Sequence, residues 1–154
     1  MLFRSKGALL ERMLREERGK VLVFVNKKIG CEKLGNSLKR SGLPADAIHG
    51  DKGAEQRHLV LQAFSRGKIR FLVATDVAAR GIDVDDIDLV VNHDFPLALE
   101  DYIHRAGRTG RAGRKGRAIS LVAPSERRLF DHVHRHLKGL APTGDARSEE
   151  HTSE

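Results

Sequence analysis

The stretch Val21–Val25, with the sequence VLVFV, constrains the fold more than any other part of the chain. All of its residues are apolar, so a strand formed there has no polar face to turn toward water. Such a strand is typical of a parallel sheet that helices cover on both sides. The chain of 154 residues is long enough to build one domain of this kind around a sizeable core.

Helical and extended patterns alternate along the rest of the chain. Apolar residues recur every three or four positions in some segments and form short runs between turn residues in others. This alternation predicts a three-layer α/β/α domain with a mainly parallel sheet. The predicted helices cover residues 8–17, 28–41, 55–66 and 125–137, and the predicted strands cover residues 21–25, 47–49, 70–74, 89–93 and 118–122.

In such sheets, ligands bind at the carboxyl ends of the strands. The loops after Val25, Ala74 and Val91 are therefore expected to carry chemistry, together with residues 104–114, HRAGRTGRAGR. That segment has arginines at three-residue intervals and three glycines, which disfavour a long helix. We expect an irregular segment that presents several guanidinium groups to one polyanion.

The balance of charges also favours a polyanionic partner. Lysine and arginine together number 28 against 21 acidic residues, which gives a net charge of +7. This excess leaves nucleic acid, nucleotide and anionic lipid open as partners.

Cys31 is the single cysteine, so no disulfide forms within the chain and a cytoplasmic location is expected. No secretory signal or membrane-spanning run is recognisable, so no membrane partner is expected.

Both ends of the chain are expected to be foreign to the fold. Residues 141–154 are polar and follow turn-forming residues, which predicts a disordered tail. Codons that can encode residues 147–154 spell a common sequencing-library adapter, and codons for residues 2–5 can be its reverse complement. We therefore expect residues 1–5 and 147–154 to be adapter-derived and the domain to occupy residues 6–140. A natural disordered tail is the alternative.

Two longer motifs resemble those of DEAD-box RNA helicases. Residues 74–84, ATDVAARGIDV, resemble motif V of that family, and residues 102–111, YIHRAGRTGR, resemble motif VI. Residues 23–28 are similar to motif IV, and residues 49–51, HGD, match another segment of the family. The resemblance covers most of the chain and implies the C-terminal RecA-like domain, of P-loop NTPase type, of an ATP-dependent RNA helicase.

The family closes two RecA-like domains around ATP and single-stranded RNA. The 154 residues contain neither a G-x-x-x-x-G-K-[ST] loop nor an Asp-Glu-Ala-Asp segment, which would cradle the phosphates and hold magnesium. The resemblance therefore implies that ATP and Mg²⁺ are bound mainly by an N-terminal RecA-like domain, the partner of this one. This chain alone is expected not to hydrolyse ATP.

The resemblance also implies a nucleotide site. Arg108 and Arg111 match the arginine fingers that reach the γ-phosphate, and they are the expected catalytic residues. Asp83 matches the residue that binds the ATP ribose hydroxyls, and Gly81 supplies backbone freedom beside it. The alternatives are a solvated basic loop for the arginines and an ordinary turn aspartate for Asp83. The acidic residues 85–88 are expected to be solvated surface.

The positions that match the family's RNA contacts are Thr75 and Arg80 of motif V, Arg57, and the backbone amides that follow Asn26. A helix that begins near these amides offers free N–H groups to a phosphate. Aromatic residues are scarce, at 5%, so contacts to sugar and phosphate are favoured over base stacking. Ala54 stands where the family often has a glutamine, which removes one expected contact.

The remaining polar residues of interest are histidines and one more arginine. His104 and Arg105 match positions that tie motif VI to the neighbouring domain and to other motifs. His132, His134 and His136 lie two residues apart on a predicted helix, which splays neighbouring rings, so no metal site is expected.

Two alternatives to one half of an RNA helicase remain open. The first is a stand-alone basic RNA-binding module with no linkage to ATP. The second is one half of a DNA helicase, which is disfavoured because motif VI opens with a histidine rather than a glutamine.

Overall fold

The computed structural model describes residues 5–111 and 113–138. Within these residues, helices flank a single five-stranded sheet. The strands are Lys20–Phe24 (β1), Ala45–Ile48 (β2), Phe71–Ala74 (β3), Ile87–Asn92 (β4) and Arg117–Ser120 (β5). The helices are Lys6–Glu16 (α1), Lys28–Arg40 (α2), Ala54–Ser65 (α3), Asp76–Ala79 (α4), Leu99–Ala106 (α5) and Arg127–Lys138 (α6), and a 3₁₀ turn at Pro124–Glu126 precedes α6.

The strand order is β2-β3-β1-β4-β5, and every neighbouring pair is parallel. The predicted three-layer α/β fold is therefore confirmed. Strand β1 lies at the centre of the sheet, which explains why its residues after Lys20 are all apolar and buried. Val21 and Val23 pack in the core formed with α1 and α2, whereas Leu22 and Phe24 pack in the core formed with α3 and α4.

Two helices lie where the sequence predicts loops. Helix α4 is a single turn, which is too short for its apolar spacing to be recognised. Helix α5 is only 8 residues long, and its Tyr102 packs with Phe95 and Phe130 in a small separate core. The last turn of α5 includes residues 104–106, so the prediction of an irregular segment is wrong for those residues. The helix ends at Gly107.

The ends of the described chain add one contact. The hydroxyl of Ser5 accepts a hydrogen bond from the Ala8 N–H at 3.2 Å and caps α1. Residues 1–4, and the whole segment 141–154 with its expected adapter-derived part, lie outside the described residues. The adapter origin therefore stays a prediction.

Helix α2 packs against β2 at unusually close range. A Cβ added to Gly35 would lie 2.7 Å from the Ala47 Cβ, whereas a Cβ added to Gly30 of the same helix would meet open space. We expect Gly35→Val to lower the free energy of unfolding by about 1–3 kcal/mol, because overpacking forces α2 away from the sheet. Gly30→Val is the matched control and is expected to leave stability unchanged or slightly higher.

Urea unfolding followed by circular dichroism measures both variants. Equal stability of the two variants would contradict the close approach of α2 to β2.

Candidate nucleotide and nucleic-acid interface

One buried arginine joins the ends of three strands. Arg105, in the last turn of α5, is only 1% exposed. Its Nε and Nη2 donate to the two carboxylate oxygens of Asp76, each at 2.8 Å. Its other contacts are with Asn92 Oδ1 at 3.2 Å, the Asp94 carbonyl at 2.8 Å and Asn26 Oδ1 at 2.7 Å. Because these partners end or follow β1, β3 and β4, one guanidinium group fixes the carboxyl edge of the sheet.

Two of the arginines of residues 104–114 are engaged within the protein rather than turned toward a ligand. Arg105 is enclosed, and its guanidinium also lies 5.0 Å from the centre of the Phe24 ring. Arg114 is paired with Asp88 at 3.0 Å. The contacts of Arg105 join the three segments that resemble motifs IV, V and VI. A contact from Arg105 or the exposed His104 to a neighbouring domain stays a prediction.

Arg108 and Arg111 lie beside the loop that connects α4 to β4. Arg108 Nη1 is 3.4 Å from the carbonyl oxygen of Ile82. Arg111 Nη2 is 3.8 Å from Asp85 Oδ1. Asp83 lies between these two contact points in the sequence and is exposed. The structure thus brings the residues that are expected to bind nucleotide to one surface.

The acidic run around Asp83 is less solvated than the sequence suggests. Asp86 pairs with the Lys20 ammonium at 2.8 Å, and Asp88 accepts the Lys20 backbone N–H at 3.0 Å. The hydrogen bond from Lys20 lowers the pKa of Asp86, although partial burial opposes this effect. Among the described residues, Asp83 has no hydrogen-bond or ion-pair partner, so its carboxylate is free to accept bonds from a ligand.

The later part of residues 104–114 leaves the carboxyl edge of the sheet, contrary to expectation. The Thr109 hydroxyl donates to the carbonyl oxygen of Ile87, the first residue of β4, at 2.6 Å. The backbones of Gly110 and Gly116 are in close contact, because a Cβ added to Gly116 would lie 2.3 Å from the Gly110 nitrogen. The loop between these glycines is therefore held closed at its base.

Gly81 occupies the turn that leads from α4 toward Asp83. Its φ is +79°, in the region that side chains other than glycine rarely adopt. A glycine is thus needed for the chain to turn there.

The residues expected to bind RNA form a second group, around α4. Thr75 is 6% exposed, and its Oγ1 accepts the Ala78 N–H at 3.4 Å, so this side chain caps α4. Arg57 Nη2 donates to the carbonyl oxygens of Ala78 and Arg80 at 2.6 and 2.9 Å. Both side chains therefore hold the turn in place, whereas the Arg80 side chain is exposed to solvent.

Asn26 uses its side chain within the protein. Its Nδ2 donates to the Phe95 carbonyl at 3.1 Å, its Oδ1 accepts from Arg105, and its backbone N–H donates to the Asp94 carboxylate at 2.9 Å. Lys27, the N-cap residue of α2, makes no side-chain capping bond. The amides of the first turn of α2 thus remain available for an acceptor.

The structure adds residues that the motifs alone do not single out. Asp76 holds Arg105, and the sequence signal for it is only an acidic residue placed two positions after a buried strand. Lys28 and Lys52 line a groove beside the start of α2, together with His49 and Asp51 of the HGD segment. Lys28 pairs with Asp51 at 3.0 Å, which fixes this segment next to α2.

The part of the chain that the structure describes offers little for thiol catalysis, for a metal site with three or more protein ligands or for a membrane-spanning helix. Burial raises the pKa of the Cys31 thiol to about 12, so Cys31 is not a ready nucleophile. Groups of three or more candidate metal ligands are absent from the described residues. The helices within residues 5–111 and 113–138 include none that is both long and apolar enough to cross a membrane.

The buried cluster around Arg105 generates a stability prediction. Arg105→Ala is expected to lower the free energy of unfolding by about 3–5 kcal/mol, because Asp76 and the neighbouring amides lose their partner. Arg105→Lys is also expected to be destabilised, since an ammonium group cannot reproduce the planar fork. Arg114→Ala is the matched control: its exposed pair with Asp88 contributes at most about 1 kcal/mol.

Thermal and urea unfolding of the three variants measure these effects. Similar losses for Arg105→Ala and Arg114→Ala would contradict the central role of the buried guanidinium.

Comparison with known proteins places this geometry in a family. Residues 5–113 match the family model of the helicase conserved C-terminal domain. The chain is 50% identical over 120 residues to the ATP-dependent RNA helicase DBP2 of Lodderomyces elongisporus, which covers 78% of this chain and 22% of that protein. It is 45% identical over 116 residues to the probable ATP-dependent RNA helicase DDX17 of Homo sapiens, which covers 75% of this chain and 16% of that protein. The chain thus spans about a fifth of the length of these relatives.

Solved structures of DEAD-box proteins have the same fold. The E. coli DEAD-box protein SrmB, bound to regulator of ribonuclease activity A, superposes with a TM-score of 0.82 at 38% identity, covering 92% of this chain and 82% of that one. S. cerevisiae Dbp5 bound to RNA and ADP BeF3 superposes with a TM-score of 0.83 at 30% identity, covering 100% of this chain and 41% of that one. The chain therefore belongs to the helicase conserved C-terminal domain family, as a C-terminal RecA-like domain of the DEAD-box RNA helicase type.

Proposed function

We propose that this chain is the second motor domain of an ATP-dependent RNA helicase. In this role it supplies Arg108 and Arg111 to ATP and part of the backbone site for single-stranded RNA. The observation that carries the proposal is the contrast among the arginines of one short segment. Arg105 is enclosed in the fold, while Arg108 and Arg111 contact the loop that carries Asp83, whose carboxylate has no partner among the described residues.

The contacts of Arg108 and Arg111 are weak enough to be exchanged for a ligand. The 3.4 Å contact of Arg108 is longer than an ordinary N–H···O hydrogen bond. Arg111 is 39% exposed and 3.8 Å from Asp85, and such a pair contributes at most about 1 kcal/mol. Moving either guanidinium group onto a phosphate therefore costs little.

Phosphoryl transfer explains why two arginines are useful here. The transferring group spreads negative charge over its equatorial oxygens, and fixed guanidinium donors in a closed cleft stabilise that charge. Asp83 is suited to accept hydrogen bonds from the ribose hydroxyls of the same nucleotide. The missing phosphate-binding loop and the residues for Mg²⁺ are assigned to an N-terminal RecA-like domain.

The proposed RNA site uses the second group of residues. The open amides at the start of α2 and the exposed Arg80 bind phosphates, and Arg57 and Thr75 hold the α4 turn that presents Arg80. These groups contact the backbone of the nucleic acid, so binding is independent of sequence. The related Dbp5 structure holds bound RNA, which supports RNA as the ligand.

The finger assignment is tested in a protein in which this domain is joined to the N-terminal RecA-like domain of a DEAD-box helicase. Arg108→Ala and Arg111→Ala are each expected to reduce RNA-stimulated ATP turnover by about 10³-fold or more, because the transition-state charge loses a donor. RNA affinity is expected to be largely kept. Arg114→Ala, the control from the same segment, is expected to retain turnover.

Steady-state ATPase assays and fluorescence anisotropy with single-stranded RNA measure the two properties. Unchanged turnover in both finger variants would contradict the assignment of the nucleotide site.

The same two-domain protein tests whether the two groups of residues serve different ligands. Asp83→Asn is expected to raise the KM for ATP about tenfold, because a carboxylate acceptor for the ribose is lost. Arg80→Ala is expected to raise the Kd for RNA, measured at saturating nucleotide, while leaving the KM for ATP near its original value.

A reversed pattern would contradict the division of the site. The isolated chain provides the remaining comparison. If it binds RNA as tightly as the two-domain protein, with no response to ATP, the stand-alone binding module is the better description.

A further inference from the structure

The exposed face of α6 carries two histidines in contact. His132 and His136 are four residues apart, and an α-helix places such side chains one above the other. Their ring centres are 4.3 Å apart, with an angle of 53° between the ring planes. Both side chains are exposed, so neither imidazole is engaged by the core. The expectation of splayed rings holds for histidines two residues apart, such as His132 and His134. It does not apply to His132 and His136, which are four residues apart.

One hydrogen bond selects the tautomer of the neutral His136 ring. His136 Nδ1 lies 2.9 Å from the carbonyl oxygen of His132. A carbonyl oxygen can only accept, so Nδ1 carries a proton and donates it. In the neutral ring, Nε2 therefore keeps its lone pair. An imidazole that donates one N–H to a backbone carbonyl is the usual arrangement of a metal-binding histidine.

The third histidine of the helix takes no part in this pair. His134 stacks on Phe130, with ring centres 5.5 Å apart and nearly parallel planes. Its ring therefore lies on a different part of the helix surface from the other two rings, so a substitution of His134 serves as a control. Asp131, the carboxylate adjacent to His132, is engaged by Arg127 at 3.4 Å.

We propose that His132 and His136 together form a two-ligand site for a transition-metal dication, and that Cu(II) is the ion that binds there most tightly. Histidines at positions i and i+4 of a helix can bind one metal ion together. Imidazole favours copper, nickel and zinc over magnesium and calcium, and copper binds most strongly in the divalent series. With two protein ligands, the remaining coordination positions are filled by water.

One cation lies next to the proposed site. Arg128 is one turn before His132 on the same face and is exposed. Its positive charge weakens the binding of every dication to a similar extent, so the preference for copper rests on the strength of the bond to imidazole and not on this charge.

The test titrates the 154-residue chain with Cu(II) chloride and follows binding by isothermal calorimetry and by electron paramagnetic resonance. The chain and the His134→Ala control are expected to bind one Cu(II) with a two-nitrogen signature. His132→Ala and His136→Ala are each expected to weaken that binding by about tenfold or more. Arg128→Ala is expected to tighten it.

Thermal unfolding provides a second readout. Without metal, His132→Ala and His136→Ala are expected to unfold at nearly the same temperature as the original chain, because both rings are exposed. Added Cu(II) is expected to raise the Tm of the chain and of His134→Ala, but not of His132→Ala or His136→Ala. Copper affinity that is unchanged in His132→Ala and His136→Ala, or lost equally in His134→Ala, would overturn the proposal and leave an aromatic pair only.

Discussion

The fold depends on one arginine that is buried at the carboxyl edge of the sheet and whose N–H groups are all hydrogen-bonded. Arg105 brings a permanent charge into a site that is almost closed to water, where an unpaired guanidinium group would be very unfavourable. The carboxylate of Asp76 supplies the opposite charge. The side-chain amide oxygens of Asn92 and Asn26 and the carbonyl oxygen of Asp94 accept the remaining donors. The strand ends are thereby held in one fixed arrangement, and both groups of candidate ligand-binding residues are positioned relative to it.

Much of this architecture could be predicted from the sequence. Residues 21–24 of β1 and the whole of β3 are apolar and buried on both faces, and that property favours helices on both sides of the sheet. Helices α4 and α5 could not be predicted in the same way, because one or two turns contain too few residues to define a period. Their formation depends on local capping by Thr75 and on packing of Tyr102 against Phe95.

The spacing of the candidate site residues could not show how each side chain is held. Regular spacing makes the arginines of residues 104–114 look equivalent. The position at which α5 ends makes them different: Arg105 belongs to the last helical turn and points into the sheet edge, whereas Arg108 follows the helix and reaches the α4–β4 loop. Thr75 and Arg57 likewise prove to be internal supports, a role that spacing does not reveal.

The contact between Gly110 and Gly116 has a mechanical consequence. Arg108 precedes the closed base of that loop, and Arg111 lies within the loop. The closed base therefore separates the two arginines along the backbone, with Arg108 on the α5 side and Arg111 on the far side. Their side chains nevertheless contact the same α4–β4 loop, at Ile82 and Asp85, so a displacement of that loop would disturb both guanidinium groups together.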